Sequence, residues 1–212
     1  NPAFPNHEWA YDITQLPDEG FLVVGGRDRY SQGSKNGLVL RTDKEGTLLW
    51  EKEFLEEGQA EQTVYSISNT NNGNYFICST TNSVAEPGIY QPKISKIDLE
   101  GNIDWQRTFA ANGKSYHRFS AAGTEKGDIV LVGTSGRQVA TGYDEDAFMI
   151  RMDDKGNIIW SFAYGTYDYD DWGWSVFETA QNNLVFVGST KSFGASLFDI
   201  YLVGTNAEGI SQ

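Results

Sequence analysis

The side chains of this sequence that could do chemistry are concentrated in one segment, residues 164–174. Its centre alternates aromatic rings with carboxylates: Tyr167, Asp168, Tyr169, Asp170, Asp171 and Trp172. An aromatic ring packs against the C–H face of a pyranose, and carboxylates accept hydrogen bonds from its hydroxyl groups. We therefore predict that these six residues contact a glycan or a protein ligand.

Two other interpretations of this segment stay open. Asp168 and Asp170 are hard oxygen ligands at alternate positions, which makes them candidate ligands of a metal ion such as Ca²⁺. An EF-hand does not fit, because Trp172 stands where the third oxygen ligand belongs and Glu178 comes one residue early for the bidentate position. In the remaining interpretation the segment is a structural connection between two repeats, and no cofactor is bound.

The sequence offers few candidate catalytic residues. Asp144 with Asp146, or Asp170 with Asp171, could supply the acid and base of a glycosidase. Sequence neighbours on an extended chain point to opposite sides, however, and such pairs are usually solvated loop charges. His7 and His117 are the only histidines, so no two-histidine metal site with helical spacing exists. The sequence also lacks a G-x-S-x-G elbow, a phosphate-binding loop and a Cys–His signature. These absences predict that the chain is not an enzyme, and that it has no catalytic residues.

A sequence repeat indicates the secondary-structure units that must position these residues. The phrase D-x-x-G-x-x-x-W occurs three times at 55-residue spacing and ends at Trp50, Trp105 and Trp160. A fourth copy, Asn206-Ala-Glu-Gly209, follows in step. Internal periodicity of this length is the signature of a repeat architecture.

Each residue of the phrase has a predicted structural role. The Trp rings are expected to pack between adjacent sheets, with a partner for each indole N–H. The glycines are expected at turn positions with positive φ, and the aspartates are expected to accept hydrogen bonds from turn amides. These residues are Gly46, Gly101, Gly156, Gly209, Asp43, Asp98 and Asp153.

Every unit is predicted to contain four short strands. In the third unit they are residues 119–123, 129–133, 147–152 and 158–164, bounded by Gly, Asn and Asp. Four-stranded units of about 53–55 residues are typical of β-propeller blades. We predict an all-β fold, a β-propeller of four blades that either closes by itself or belongs to a larger propeller.

The whole chain is predicted to be one β-propeller domain, residues 1–212. The repeats run approximately from 5 to 62, 63 to 118 and 119 to 173, and the fourth comprises 174–212 with residues 1–4. Phe4 aligns with the fourth strand of the other units, so the N-terminal residues are expected to supply the outer strand of the last blade. A longer array of blades is the alternative.

The last repeat carries a family resemblance. Its motifs are Trp174-Ser-Val176, Gly188-Ser-Thr190, Asp199-Ile-Tyr-Leu202 and Asn206-Ala-Glu-Gly209. They resemble a tandem-repeat, β-propeller-like family of secreted and surface proteins of bacteria and archaea. The resemblance implies a propeller-like module without established chemistry, located outside the cell or at its surface. The D-x-x-G-x-x-x-W phrase is also weakly similar to the repeats of quinoprotein propellers.

Net charge and the lack of a long apolar run limit the classes of partner that this chain could bind. The chain has 212 residues and a formal net charge of −13, which disfavours a nucleic-acid backbone as a ligand. No run of 18 apolar residues exists to span a membrane, and no signal peptide opens the chain. Cys78 is the one cysteine and is predicted to be a small core residue.

Function is predicted to lie on the face with long, divergent connections, because binding residues tend to lie on loops held by a rigid scaffold. Those connections are residues 27–36, 80–91, 135–146 and 189–198, with the segments 55–62, 110–118 and 165–173 between units. We predict a non-catalytic extracellular module that binds a protein or glycan at the cell surface. The alternatives are a structural spacer or self-assembling repeat in a larger surface protein, and, least favoured, a glycan-active enzyme.

Overall fold

The computed structural model describes residues 7–29, 34–55, 59–70, 73, 75–83, 88–109, 114–139, 142–166, 169–194 and 197–211. These ranges contain fifteen β-strands and no helix, which confirms the all-β class. Because there is no helix in them, they also hold none that is long and apolar enough to cross a membrane.

The strands form four consecutive groups, which we name units 1 to 4. Unit 1 contains β1 (His7–Gln15), β2 (Phe21–Arg29), β3 (Ser34–Thr42) and β4 (Leu48–Phe54). Unit 2 contains β5 (Gln59–Asn69), β6 (Tyr75–Ser83), β7 (Gln91–Ile97) and β8 (Ile103–Thr108). Unit 3 contains β9 (Lys114–Gly123), β10 (Ile129–Val139), β11 (Gly142–Met152) and β12 (Ile158–Tyr164). Unit 4 contains β13 (Asp171–Glu178), β14 (Leu184–Thr190) and β15 (Asp199–Thr205).

Each unit is an antiparallel meander in which every strand pairs with the next one along the chain. A single parallel bridge, Lys35 with Glu61, joins units 1 and 2 into one eight-stranded sheet. The first strands of successive units pack side by side, β1 with β5, β5 with β9, and β9 with β13. The first strands are therefore the inner strands of the assembly.

Three apolar layers hold successive units together. The first lies between units 1 and 2, the second between units 2 and 3, and the third between units 3 and 4. Representative fully buried residues of the three layers are Val39 and Ile77, Ile94 and Leu131, and Met149 and Phe186. Full burial of such a side chain contributes roughly 1.5–3 kcal/mol, so these layers are the main source of stability.

The repeat phrase connects each unit to the next. The indole Nε1 of Trp50 donates to the carbonyl oxygen of Leu99 at 3.1 Å, and Trp105 donates to Asp154 at 2.9 Å. Trp160 does the same to Ala207 at 3.1 Å. Each ring lies against the phrase glycine of the following unit, which has a positive φ of 72° at Gly101, 82° at Gly156 and 79° at Gly209. A side chain at those glycines would displace the Trp ring.

The phrase aspartates organise the turns that carry these glycines. Oδ1 of Asp43 accepts hydrogen bonds from two backbone amides of its turn, at 3.0 and 2.7 Å, and Oδ1 of Asp153 accepts two at 3.0 and 2.8 Å. Asn206 does the same in the fourth copy, at 3.1 and 2.9 Å. A short side chain with an acceptor oxygen is therefore what this turn requires.

The loops predicted between second and third strands are partly wrong, because the strands extend into them. Residues 27–36 include the paired ends of β2 and β3, from Arg27 with Asn36 to Arg29 with Ser34. Residues 135–146 were expected to form a long connection, but β10 and β11 stay paired through Ser135 with Asp146 and on to Val139 with Gly142. The segment is mostly polar, and its buried polar residues Ser135 and Asp144 do not belong to the apolar layers. An extension of this kind leaves no alternating pattern in the sequence.

Units 1 and 4 each keep one apolar face uncovered. Val187 and Leu202 of unit 4 are 42% and 66% exposed, and Ile13 of unit 1 is 56% exposed. The repeat equivalents of Val187 and Leu202 in unit 3, Val132 and Met149, are fully buried against unit 4. Among the described residues the sheets therefore do not close into a ring.

Candidate functional site

All four inner strands carry a β-bulge at the same place. The bulge residue is Tyr11 in β1, Tyr65 in β5 and Trp174 in β13. In β9 two residues, Arg118 and Phe119, stand opposite the single residue between Val132 and Thr134 of β10. A bulge turns a side chain out of the regular alternation and is frequent beside functional sites.

The bulge residues line one cavity of about 760 Å³. The inner strands of all four units contribute to its wall, and β10 and β11 of unit 3 complete it. The lining residues are Tyr11, Tyr65, His117, Arg118, Phe119, Thr134, Glu145, Trp172 and Trp174. The cavity therefore exists only because four units meet.

Aromatic rings form two pairs in this wall. The rings of Tyr11 and Tyr65 are 4.9 Å apart between centroids, with 42° between their planes. Those of Trp172 and Trp174 are 5.9 Å apart and nearly perpendicular, at 77°. The ring centroid of Phe198 lies 4.2 Å from that of Trp172. The wall thus offers several flat apolar surfaces beside polar groups.

Arg118 is held in an uncommon backbone conformation. Its φ is +54°, in the left-handed region. This conformation is unfavourable for residues other than glycine and persists only where the surrounding structure enforces it. The guanidinium carbon lies 4.6 Å from the ring centroid of Trp174, a cation–π distance. Strain at a bulge, with the side chain stacked in a cavity, indicates a positioned group rather than a freely moving surface arginine.

Glu145 and His117 supply the acid–base groups. Glu145, on the extended β10–β11 hairpin, accepts a hydrogen bond of 2.6 Å from Nε1 of Trp172. Burial lowers the pKa of His117 below its ordinary value, the charge of Glu145 opposes this shift and that of Arg118 adds to it. The His117 imidazole is therefore neutral at neutral pH and can accept a proton.

The tyrosines near the cavity keep their protons. Burial raises the pKa of Tyr65. Burial and the hydrogen bond of 2.7 Å from its hydroxyl group to Glu61 raise the pKa of Tyr90 to about 12, and the ring of Tyr90 lies 5.7 Å from that of His117. Tyr65 is therefore protonated at neutral pH and can donate a hydrogen bond into the cavity.

Hydrogen bonds between the inner strands support the site from behind. The carboxylate of Asp12 accepts hydrogen bonds from the Ser66 hydroxyl at 2.9 Å and from the backbone N–H of Ile67 at 3.0 Å. Ser66 in turn accepts one from the backbone N–H of Ala121 at 3.2 Å. Asp12 and Ser66 directly follow the bulge residues, so this chain of bonds fixes the spacing of three inner strands.

The residues predicted from the sequence lie in several places. Trp172 lines the cavity, whereas Tyr169 is 53% exposed and does not line it. Tyr167 and Asp168 lie outside the described residues. Asp170 pairs with Lys191 at 2.6 Å. Of the four that the structure describes, it thus brings Trp172 into the site.

Asp171 has a structural environment. It is fully buried, and its carboxylate accepts hydrogen bonds from the hydroxyl groups of Thr190 and Ser192 and from the backbone N–H of Thr166. Within the part of the chain that the structure describes, no three His, Cys, Asp or Glu residues are grouped in a way that could hold a metal ion. Calcium binding by Asp168 and Asp170 stays a prediction.

Sequence reasoning missed most of the cavity residues. They come from strands about 54 residues apart and form no contiguous motif. One signal was present: residues 11, 65, 119 and 174, spaced at the repeat length, are all aromatic. An aromatic residue at this position of every repeat therefore indicates a residue that lines the cavity.

Solved structures with a similar fold identify the architecture. Levansucrase from Bacillus subtilis matches with a TM-score of 0.55 and 11% identity over 94% of this chain and 68% of that chain. An α-L-arabinanase from Penicillium chrysogenum, complexed with arabinobiose, gives 0.57 and 13% over 98% of this chain and 61% of the other. An ulvan lyase bound to -[GlcA(1-4)Rha3S]- gives 0.54 and 8% over 94% and 56%. The fold is propeller-like.

The chain thus spans about two thirds of the levansucrase and less of the other two proteins. No protein-family model and no curated protein sequence matches the chain. The resemblance to a family of secreted repeat proteins therefore stays a prediction.

The similar structures correct the functional prediction. A non-catalytic binding, display or spacer module was expected because no contiguous catalytic motif is present, yet the similar folds belong to enzymes named for work on glycans. The expectation that the chain is not an enzyme is therefore wrong. Its physical weakness is that a site built at the junction of several blades takes one residue from each, so the lack of a local motif excludes nothing.

Proposed function

We propose that the chain is a glycan-active enzyme that binds a saccharide in the cavity between the inner strands and acts on its glycosidic bond. The observation that carries this proposal is the convergence of the four bulges on one cavity, which places aromatic rings beside an acid, a base and a cation. The names of the solved structures with the same fold, which include an arabinanase with bound arabinobiose, support it.

The cavity suits a sugar in size and in chemistry. Its volume of about 760 Å³ lies within the range of roughly 300–1,000 Å³ that small-molecule sites occupy. Rings such as those of Tyr11 and Trp174 can cover the C–H face of a sugar, while Thr134 and Arg118 provide polar contacts at the edge. Binding would therefore orient a sugar ring against the acid–base groups of unit 3.

The acid–base groups suggest how the bond is cleaved. Two-carboxylate glycosidases need a second carboxylate about 5–9.5 Å from the first. Glu145 is the one carboxylate among the described residues that line the cavity. We therefore assign the second proton-transfer role to the neutral imidazole of His117, and the protonated phenol of Tyr65 donates a hydrogen bond to the sugar.

Activity on glycans tests the proposal. The purified chain is incubated with a panel of neutral and charged polysaccharides, and new reducing ends and unsaturated sugars are measured. Positioned acid–base groups contribute about 10²- to 10⁴-fold, so Glu145→Gln and His117→Gln should each lower the rate at least about 100-fold. Both variants keep a hydrogen-bonding side chain at the position.

Asp104→Asn serves as the control, because this exposed carboxylate pairs with Lys96 away from the cavity. It should leave the rate unchanged. Failure of the wild-type chain to act on any member of the panel, or full activity of both cavity variants, would refute the proposal.

We also infer that the four units are blades of a larger propeller. The uncovered faces of units 1 and 4 are repeat equivalents of faces that are buried between the other units, and the similar enzymes extend beyond the part that this chain matches. A further repeat unit is the occupant that fits both faces. Solution scattering by a compact, closed monomer of this chain would contradict this inference, whereas an open particle or an assembly with exposed apolar faces would support it.

A further inference from the structure

We propose that the saccharide bound in the cavity is anionic, and that Arg118 holds its carboxylate or sulfate group. This inference rests on the proposed function, because it assigns a substrate class to the same cavity. Arg118 is the one arginine or lysine among the described residues that line the cavity.

Among the described residues, Arg118 and Arg107 lack the carboxylate partner that Arg27, Arg41 and Arg151 have. Arg27 contacts three glutamates, Arg41 pairs with Asp18 at 2.7 Å, and Arg151 pairs with Asp128 at 2.9 Å. No carboxylate of the described residues lies within ion-pair distance of Arg118. In a chain with 29 acidic and 16 basic residues, an arginine in a cavity without a carboxylate partner leaves its donors for an external anion.

The guanidinium is also held in place. The bulge in β9 and the positive φ of Arg118 turn its side chain towards the cavity, and the ring of Trp174 lies 4.6 Å below it. Stacking on one face leaves the in-plane N–H groups free, and these match the two oxygens of a carboxylate or sulfate. A positioned fork of this kind recognises an anion without reorganising.

The charge around the cavity favours binding of an anion there rather than elsewhere on the protein surface. At neutral pH the described lining residues carry one positive charge, on Arg118, and one negative charge, on Glu145, whereas the whole chain carries −13. Glu145 is engaged by the indole of Trp172. The cavity is therefore a place where an anion meets little of the general repulsion of this protein.

The test uses matched ligands that differ in charge. Pectate and its fully methyl-esterified form share one backbone, and a sulfated galactan and its desulfated form make the second pair. Binding is measured by affinity electrophoresis and calorimetry at low and high salt. We expect the chain to bind a charged member more tightly than its neutral form, and the affinity to fall with added salt. The two pairs distinguish a carboxylate from a sulfate.

Variants link the preference to Arg118. Arg118→Gln should weaken binding of the charged ligand about 10- to 100-fold, and Arg118→Lys, which keeps the charge but loses the planar fork, should recover part of it. Arg107→Gln is the matched control, because Arg107 is also exposed and stacks on a tryptophan, at 5.8 Å from the Trp105 ring, outside the cavity. It should bind like the wild type.

The outcomes separate this inference from the proposed function. Cleavage of neutral polysaccharides in preference to charged ones, or unchanged affinity of Arg118→Gln with an unchanged unfolding midpoint, would overturn the inference and leave the enzyme standing. No binding or cleavage of any polysaccharide would overturn both. If Arg118→Gln does not fold, Arg118→Lys decides by the same measurement.

Discussion

Docking of a tryptophan onto the glycine of the next unit can be tested with two alanine substitutions that differ in one respect. Gly156 and Gly46 occupy the same position of the repeat phrase, with φ of +82° and +85°. A Cβ at Gly156 would lie 2.9 Å from Cζ3 of Trp105 and 3.0 Å from Cη2, whereas a Cβ at Gly46 would meet nothing within 4 Å. Gly46→Ala is therefore a control that shares the backbone cost without the collision.

The magnitudes follow from these contacts. Both substitutions place alanine in the left-handed region, which costs about 1–2 kcal/mol. Gly156→Ala in addition displaces a ring from a packed layer, at about 1–3 kcal/mol, and strains the hydrogen bond from Trp105 to Asp154. We expect Gly46→Ala to lose about 1–2 kcal/mol and Gly156→Ala about 2–5 kcal/mol of the free energy of unfolding.

Urea unfolding followed by tryptophan fluorescence and by circular dichroism measures both losses, and equal m-values show that the same transition is compared. In the double variant Gly156→Ala with Trp105→Leu, the extra loss attributed to the collision should disappear, since the ring is gone. Equal losses for Gly156→Ala and Gly46→Ala would mean that the ring yields freely. The docking would then not be what holds successive units in register.

Other predictions follow from single side chains. Because burial lowers the pKa of His117 in the folded chain, the unfolded chain takes up that proton first as the pH falls. The free energy of unfolding should therefore decrease as the pH falls below 6.5, the ordinary pKa of histidine, and it should decrease less in His117→Gln. Urea unfolding at several pH values measures this difference. Arg27→Met should lose about 1–3 kcal/mol of unfolding free energy in a denaturant titration, less than a fully buried ion pair, since two of its three partner carboxylates are half exposed. Burial raises the pKa of the Cys78 thiol, so a thiol reagent followed by mass spectrometry should label it only after unfolding. Trp174→Ala should change the free energy of unfolding by less than about 1 kcal/mol, because the ring is 38% exposed, but it should weaken saccharide binding measured by calorimetry.

Local chemistry explains how far sequence reasoning reached. The Asp turn and the positive-φ glycine are properties of a few adjacent residues, so a phrase repeated at 55-residue spacing predicts the same turn each time. The strands of unit 3 were recognisable where both of their faces are buried, because 129–133 and 147–152 are then mostly apolar. Their extension towards Val139 and Gly142 was not, because residues 135–146 are mostly polar or glycine and contain no apolar run.

The site could not be found in this way. The concentration of rings and carboxylates in residues 164–174 pointed to one segment, but the structure uses Trp172 for the cavity, buries Asp171 in a hydrogen-bond network and pairs Asp170 with Lys191. Composition alone does not distinguish a carboxylate that satisfies neighbouring hydroxyl groups from one that faces a ligand. That distinction depends on which groups the surrounding strands bring within hydrogen-bond distance.

The sequence by itself thus determined the repeat, its turns and the all-β class. These features depend on residues close together in the chain and on the regular spacing of the repeat. The tertiary structure alone decided the cavity, since its wall joins Tyr11, Tyr65, Arg118 and Trp174 from four separate strands. It also decided the bulges that turn these side chains inward. A bulge is a shift in the pairing of two strands, and pairing is settled by packing between units rather than by the identity of the residue that it displaces.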